Sequence, residues 1–511
     1  MNAPTAHRHT STALPADSST PLRAALAAGE TAHPQQSAFR LLSTGSAALS
    51  MRIALAQAAQ RTLDLQYYIA EEDNTGKLLL ESVLRAADRG VRVRLLLDDF
   101  NFKDIDSVIA TLNSHPHIEV RVFNPFAPAH ENFGTRASDF LTRLDTLTRR
   151  MHNKAMIADN QVAIVGGRNI GDEYFDASPS ILFRDLDVLA AGPIVPEVSQ
   201  SFDTFWNSDL SYPLTDLNRQ HFDAAELQRV RADLRAHWQQ DRDVTERGPL
   251  TRAPLAEQIR TANLALIWAP AAFWADTPEK ITAPTQDYSS PPANRIRALA
   301  EQAQKELLII SAYFVPGKEG VTVLTGLAAR GVTVKALTNS LASTDAPASM
   351  AGYIPYRVGL LRGGVQLYEF KPVPGQPRNA DIVGSRSRAS LHTKALVIDR
   401  RTLLTGSINL DPRSFRLNTE IALEINSPEI AQQAADLFVS AASLQSSYQV
   451  SLADAQTLAQ LQMNGVPRSP LIWTTDNQQG REVSYNFDPE AGLWRNTLTG
   501  LFRILPIQSQ L

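Results

Sequence analysis

The chain has 511 residues, 43% hydrophobic and 20% charged, enough for two or more domains with large buried cores. Forty-nine Lys and Arg against 53 Asp and Glu leave a net charge of −4, too balanced for a protein that coats nucleic acid by charge, so any anion site must be local. The absence of cysteine excludes disulfides, thiolate nucleophiles and Cys-ligated metal centres.

Residues 1–37 are rich in Ala, Pro, Ser, Thr and His and lack the apolar run of a signal-peptide core; they read as a disordered tail. No stretch of the chain reaches the ~18 consecutive apolar residues of a membrane span, so contact with a bilayer is expected to be peripheral and the location cytoplasmic. From residue 61 the chain reads RTLDLQYYI, then TGKLLLESVLRAADRG, then VRVRLLLDD, which is strand, helix, glycine-ended turn, strand. KELLIISAYFV, EGVTVLTGLAARG and VTVKALTNS repeat that order after residue 304, with Gly331 matching Gly90 at the helix end, where positive φ is wanted. IEVRVFNP and VQLYEFKP add one strand to each copy. Strands alternating with helices predict an α/β fold with a mostly parallel, helix-flanked sheet in each half.

The division expected is a first domain over 38–245, a proline-rich linker or loop over 246–293, a second domain over 294–450 and a C-terminal extension over 451–511. In that extension Trp494, Leu498, Leu501, Phe502 and Leu505 share one helical sector, an amphipathic helix that lies in a lipid interface or packs on the core.

Each half closes on one polar pattern. MHNKAMIAD places His152, Lys154 and Asp159, and LHTKALVID places His392, Lys394 and Asp399 at the same spacing, 240 residues on. One such match has a chance frequency of roughly one in a hundred, and two in repeat register are far rarer. On a strand, i and i+2 share a face, so each His projects with its Lys. Asp159 and Asp399 have the opposite parity and are expected to orient a neighbouring loop. Small residues and an amide follow at matching offsets, Gly166, Gly167 and Asn169 against Gly406, Ser407 and Asn409, suited to close approach to a phosphate. Two His, two Lys and two Asn make a site for one phosphodiester. Asp185, Asp187 and Glu420 lie on apolar stretches, where solvated edge carboxylates are the plain alternative to a role in the site.

The twin motifs, with GGRNIGDEYF after one and GSINLDPRSFRLNTE after the other, resemble the phospholipase D superfamily from about residue 38 onward. LDLQYYI, RGVRVRLLLDD, RMHNKAMIAD, VGGRNIGDEYF and the closing LFRILP are similar to its bacterial cardiolipin synthase C type. That resemblance implies two pseudo-twofold-related αβα sandwich domains with a shared active site at their interface, and two-step transfer through a phosphohistidine with no metal or other cofactor. It implies His152 as nucleophile, His392 as acid and base, and Lys154, Lys394, Asn169 and Asn409, with Gly167 and Ser407, around the phosphate. Asp185 and Glu420 would orient the imidazoles. The implied reaction is cardiolipin synthesis, with phosphatidylethanolamine or phosphatidylglycerol as donor and phosphatidylglycerol as acceptor. Hydrolysis to phosphatidic acid, or another phosphodiesterase activity, is the alternative. The partners implied are phospholipids and a membrane surface, not nucleic acid.

Overall fold

The computed structural model describes residues 8–99, 108–125, 148–217, 223–241, 253–372, 388–454, 470–477, 479–492, 497 and 499. The C-terminal amphipathic helix lies outside them. The chain forms two compact units, and each takes a short segment from the other half of the sequence. The first comprises 1–177, 186–292 and 417–424; the second comprises 178–185, 293–416 and 425–511.

The first unit holds a nine-stranded sheet in the order Ile267–Ala269, Ser37–Leu42, Asp187–Ala191, Val162–Gly166, Ala155–Ala158, Thr62–Tyr67, Arg92–Asp98, Ile118–Phe123, Ser211–Pro213. The repeat is where the sequence places it. Thr62–Tyr67, the helix Asn74–Asp88 and Arg92–Asp98 make a right-sized crossover, and Gly90 ends the helix at φ +92°. Every residue of Thr62–Tyr67 is buried, so both faces of the sheet are covered by helices.

The second unit repeats the plan with Glu306–Ser311, the helix Gly317–Ala329, Thr333–Asn339 and Gln366–Phe370, and with Gly331 at φ +87°. Lys394–Ile398 and Thr402–Gly406 extend its sheet on one side; Ser447–Leu452, Leu471–Asp476 and Glu482–Tyr485 extend it on the other.

Three expectations need correction. The sheets are mixed, not mostly parallel: in each large sheet three central strands run parallel, and the strands beside them pair antiparallel. The tight turns at 159–160 and 399–400, residues with φ of 51° to 54°, account for one of the antiparallel pairings in each sheet, sending each motif strand straight back as a hairpin.

The N-terminal tail is ordered from residue 8. Thr20 caps the helix Pro21–Ala32, which buries Leu22 and Leu26. Before it, arginines take the backbone carbonyls that would otherwise need water: Arg121 bonds His9 (2.6 Å), Arg94 bonds Ser11 (2.9 Å) and Arg92 bonds Thr12 (2.7 Å). The proline-rich linker is also built into the fold from residue 253. Ile267–Ala269 is an edge strand on Ser37–Leu42, and Leu255–Arg260 is helical.

Candidate active site

The motif histidines stand just before their strands, not on them. Ala155–Ala158 begins three residues after His152, and Lys394–Ile398 begins two after His392. In each unit the preceding residue is paired with the segment taken from the other half. Met151 bridges Thr419 in parallel, and the His152 N–H donates to the Thr419 carbonyl (3.0 Å). Register then sets His152 beside the next residue, Glu420, whose two carboxylate oxygens lie 3.1 and 2.9 Å from Nδ1. Leu391 pairs with Arg184 in parallel, and the His392 N–H donates to the Arg184 carbonyl (2.8 Å). The same register sets His392 beside Asp185, with Oδ2 at 2.6 Å from Nδ1. A carboxylate on Nδ1 fixes ring orientation and assigns the chemistry to Nε2.

Each lysine bonds the main chain of the histidine two residues before it. Lys154 Nζ donates to the His152 carbonyl (2.7 Å) and lies 5.3 Å from the ring centre of Tyr68, which itself meets the His152 ring edge-on at 5.2 Å. Lys394 Nζ bonds the His392 carbonyl and also lies 2.8 Å from Nδ1. That nitrogen cannot both donate to Asp185 and accept from Lys394, so His392 has two competing proton arrangements. Burial, then the Lys394 charge, pulls His392 below the usual imidazole value, against the opposing pull of Asp185 and Asp345.

Asp159 and Asp399 sit at the hairpin turns with their carboxylates on backbone amides. Asp159 accepts from Gln60 (3.0 Å), Arg61 (2.7 Å) and Thr62 (3.0 Å); Asp399 accepts from Gln304 (3.0 Å), Lys305 (2.7 Å) and Glu306 (2.9 Å). Each pins the turn after the motif strand to the start of the neighbouring parallel strand.

Asn169 Oδ1 accepts from Ile69 (3.2 Å) and Nδ2 donates to the Tyr174 hydroxyl (2.9 Å). The Asn409 main-chain N–H bonds Ser414 Oγ (3.3 Å), and its side-chain Oδ1 is buried without a protein partner. Gly167 donates to the Leu186 carbonyl at 3.4 Å, and Ser407 is fully buried. Gly166 is glycine because a Cβ there would stand 2.1 Å from Asp187 Oδ1. Asp187 is no solvated edge carboxylate: it is fully buried against Arg52 (2.9 Å) and Arg168 (3.3 Å). Asp185 and Glu420 are buried too, each one residue outside a strand.

Sequence reasoning missed Tyr68 and Phe183, whose ring lies 5.0 Å from that of His392. Their signal was an aromatic at the end of, or within, an apolar strand, which core packing explains equally well. Glu71, Asp73 and Glu173 bring ligand atoms within 4.8 Å of one another. Burial and the neighbouring carboxylates push Glu173 up to about 7.

Two matches to the family model described as cardiolipin synthase, PLD-like domain, cover residues 52–206 and 296–441, one for each copy of the repeat. Cardiolipin synthase C of Escherichia coli K12 is 38% identical over 482 residues, 93% of this chain and 96% of that protein. Cardiolipin synthase B of Shigella flexneri is 26% identical, covering 74% of each chain. Among solved structures, phosphatidylserine synthase of Haemophilus influenzae Rd KW20 aligns with a TM-score of 0.50 at 15% identity over 83% of this chain and 91% of its own, a likeness of fold. The duplicated motif, the repeated fold and these relatives place one conclusion beyond the resemblance: the chain belongs to the cardiolipin synthase, PLD-like domain family of the phospholipase D superfamily.

Proposed function

We propose that the chain transfers a phosphatidyl group to the hydroxyl of phosphatidylglycerol, making cardiolipin, with phosphatidylethanolamine or phosphatidylglycerol as donor and both histidines acting on one phosphodiester. The coarser statement, a phospholipase D-type phosphatidyltransferase acting on phospholipid, has the full-length likeness to cardiolipin synthase C behind it. The observation that carries the chemistry is the repeated triplet of imidazole, carboxylate on Nδ1 and lysine beside it.

In the first step His152 Nε2 attacks phosphorus, the ester bond to the leaving alcohol breaks, and His392 gives that oxygen its proton. In the second, His392 takes the proton of the incoming hydroxyl, whose oxygen attacks phosphorus as the P–N bond breaks. Lys154 and Lys394, with Asn169, Asn409, Gly167 and Ser407, balance the charge on the five-coordinate phosphorus, a task that needs no metal ion. Asp159 and Asp399 hold the motif strands and touch no reacting atom. Membrane contact is peripheral and at the cytoplasmic face; among the described residues no helix is long and apolar enough to cross a bilayer.

One feature favours exchanging the histidines. His392 is held below the usual imidazole value, and a neutral ring is what a nucleophile needs. Rapid-quench trapping with labelled lipid decides: label on His152 supports the first assignment, label on His392 the exchanged one, and label on neither removes covalent catalysis. Products from vesicles of phosphatidylethanolamine and phosphatidylglycerol, identified by mass spectrometry, test the acceptor. Chiefly phosphatidic acid at every phosphatidylglycerol content would make the protein a hydrolase.

A further inference from the structure

Behind Glu420 lies a buried ion pair that the reaction does not use directly. Asp276 and Lys280 join at 2.7 Å, four residues apart in sequence and both wholly buried. Asp276 Oδ2 also accepts the Glu420 main-chain N–H (2.9 Å), and the Asp276 N–H donates back to the Glu420 carbonyl (2.9 Å). The same oxygen thus meets Lys280 and the residue that grips His152. Lys280 Nζ lies 3.4 Å from Ser290 Oγ and 5.9 Å from the centre of the Tyr288 ring.

The strap that carries this pair, residues 276–290, is tied to the segment of the histidine as well. Arg149, three residues before His152, donates to the carbonyls of Lys280 (3.3 Å), Ile281 (3.3 Å) and Ala283 (2.6 Å) and to the Thr285 hydroxyl (3.0 Å). Between strap and histidine, Arg150 N–H bonds Asn418 Oδ1 (3.2 Å), and the Thr419 hydroxyl bonds Asn153 Oδ1 (2.9 Å). Three stretches distant in sequence, 149–153, 276–290 and 418–420, are therefore fastened to one another around a single imidazole.

A fully buried ion pair is a poor device for stability alone, since an apolar pair of similar volume often serves as well or better. Its effect here is geometric. The segment 417–424 comes from the far half of the sequence, and its carboxylate must stay within hydrogen-bond reach of Nδ1. A reciprocal pair of backbone bonds, with its acceptor oxygen fixed by an ammonium, removes the sliding freedom of that segment.

We infer that Asp276 is a positioning residue for His152, acting through Glu420, and that Lys280 and the strap 276–290 hold it in place. The inference rests on His152 being part of the reacting site, as proposed above.

The test compares two variants that remove both charges, so that neither leaves a lone buried ion. Asp276→Asn/Lys280→Met keeps the acceptor oxygen; Asp276→Leu/Lys280→Met removes it. Activity is followed with a short-chain phosphatidylethanolamine, and the ring nitrogens of His152 by 15N NMR of histidine-labelled protein, assigned with His152→Ala. The Leu variant should lose about 10- to 100-fold in kcat with KM within about twofold, and its His152 resonances should move. The Asn variant should recover kcat to within about threefold and keep the wild-type resonances. A folded Leu variant with wild-type kcat and unmoved resonances overturns the inference, and so does a folded Asn variant as impaired as the Leu one.

Should the Leu variant fail to fold, hydrogen exchange at the Glu420 amide in the unaltered protein decides: strong protection supports the inference, and exchange at the rate of an open loop overturns it. If wild-type protein turns over no phospholipid, the functional proposal fails while the NMR and exchange results still judge the positioning.

Discussion

At His152 both oxygens of Glu420 lie within 3.1 Å of Nδ1, and Lys154 bonds the histidine's own carbonyl and lies over the Tyr68 ring. At His392 a single oxygen of Asp185 stands 2.6 Å from Nδ1, and the Lys394 ammonium contends for the same nitrogen at 2.8 Å. The backbone device is the same in both: a short exchanged segment paired in parallel with the residue before the histidine. What differs is the grip on the proton. Repetition of the fold thus fixes where the two imidazoles stand, while the choice of Glu or Asp and the reach of the lysine set which nitrogen holds the proton. Unequal roles in a two-step reaction need that second freedom.

The largest effects come from removing either ring. His152→Ala and His392→Ala should each lower turnover on the order of 10^3-fold or more, since the proposed mechanism then lacks either its nucleophile or its acid and base. His392→Asn should still form the phosphatidyl-enzyme from a donor with a good leaving group, because an acid matters less as the leaving alcohol becomes more acidic; His152→Asn should not. Trapping that finds the reverse pattern exchanges the roles.

Next come the carboxylates. Glu420→Gln and Asp185→Asn should each cost about 10^2-fold in kcat, by loosening the tautomer that presents Nε2. The two should part in their pH profiles. The charge of Asp185 favours the protonated His392 ring, so removing it lowers that pKa further, and the alkaline limb of kcat/KM, where His392 must still hold the proton it gives the leaving oxygen, shifts to lower pH. A shift to higher pH in Asp185→Asn would show that Lys394, not Asp185, commands Nδ1.

How much of this was legible in the sequence follows from how local each feature is. The strands and helices of the repeat announce themselves because apolar periodicity is set within ten or fifteen residues, as in LLLESVLRAAD and VRVRLLLD. The reversal of the motif strand did not, because it turns on the left-handed pair at 159–160, and Asp-Asn there reads equally as a loop. The strands Ile267–Ala269 and Ala271–Ala275, three and five residues long among prolines, fall below any periodic signal. The candidate site residues stand out in the duplicated spacing, whereas the partnership of His152 with Glu420 spans 268 residues and depends on an exchanged segment that no local pattern encodes. Arg94, Arg121 and Arg92, which bond the N-terminal stretch, sit in strands where nothing in the local sequence marks their distant partners.

The motif aspartates divide the halves in stability where the histidines divide them in chemistry. Asp159→Ala should destabilise the fold by about 2–4 kcal/mol, because three amides at the head of a central strand lose their acceptor at a buried site. Asp399→Ala should cost less, since its turn is half-buried and water can take over part of the work. Urea unfolding measures both, and turnover per folded molecule should stay within about twofold of wild type in each. A folded Asp159→Ala protein with turnover lost would move that carboxylate into the chemistry.

The smallest effect is a dependence on pH confined to one of these turns. Burial pushes the Asp399 carboxyl up, but the amides of Glu306, Gln304 and Lys305 and the nearby Lys305 charge outweigh it and hold the group below its ordinary value of 3.8. A folded-state pKa below the unfolded one means that the unfolded chain takes up a proton first as the pH drops. The stabilising contribution is therefore complete above about pH 4 and fades as the pH falls through the folded value. Asp399→Asn should accordingly lie below wild type in urea midpoint at neutral pH, and the gap should narrow steadily through the acid range. A gap that stayed constant down to the lowest pH at which both proteins fold would mean that the three amides bond the neutral acid as well as the carboxylate. The turn of the second half would then be held by shape alone, with no share from charge.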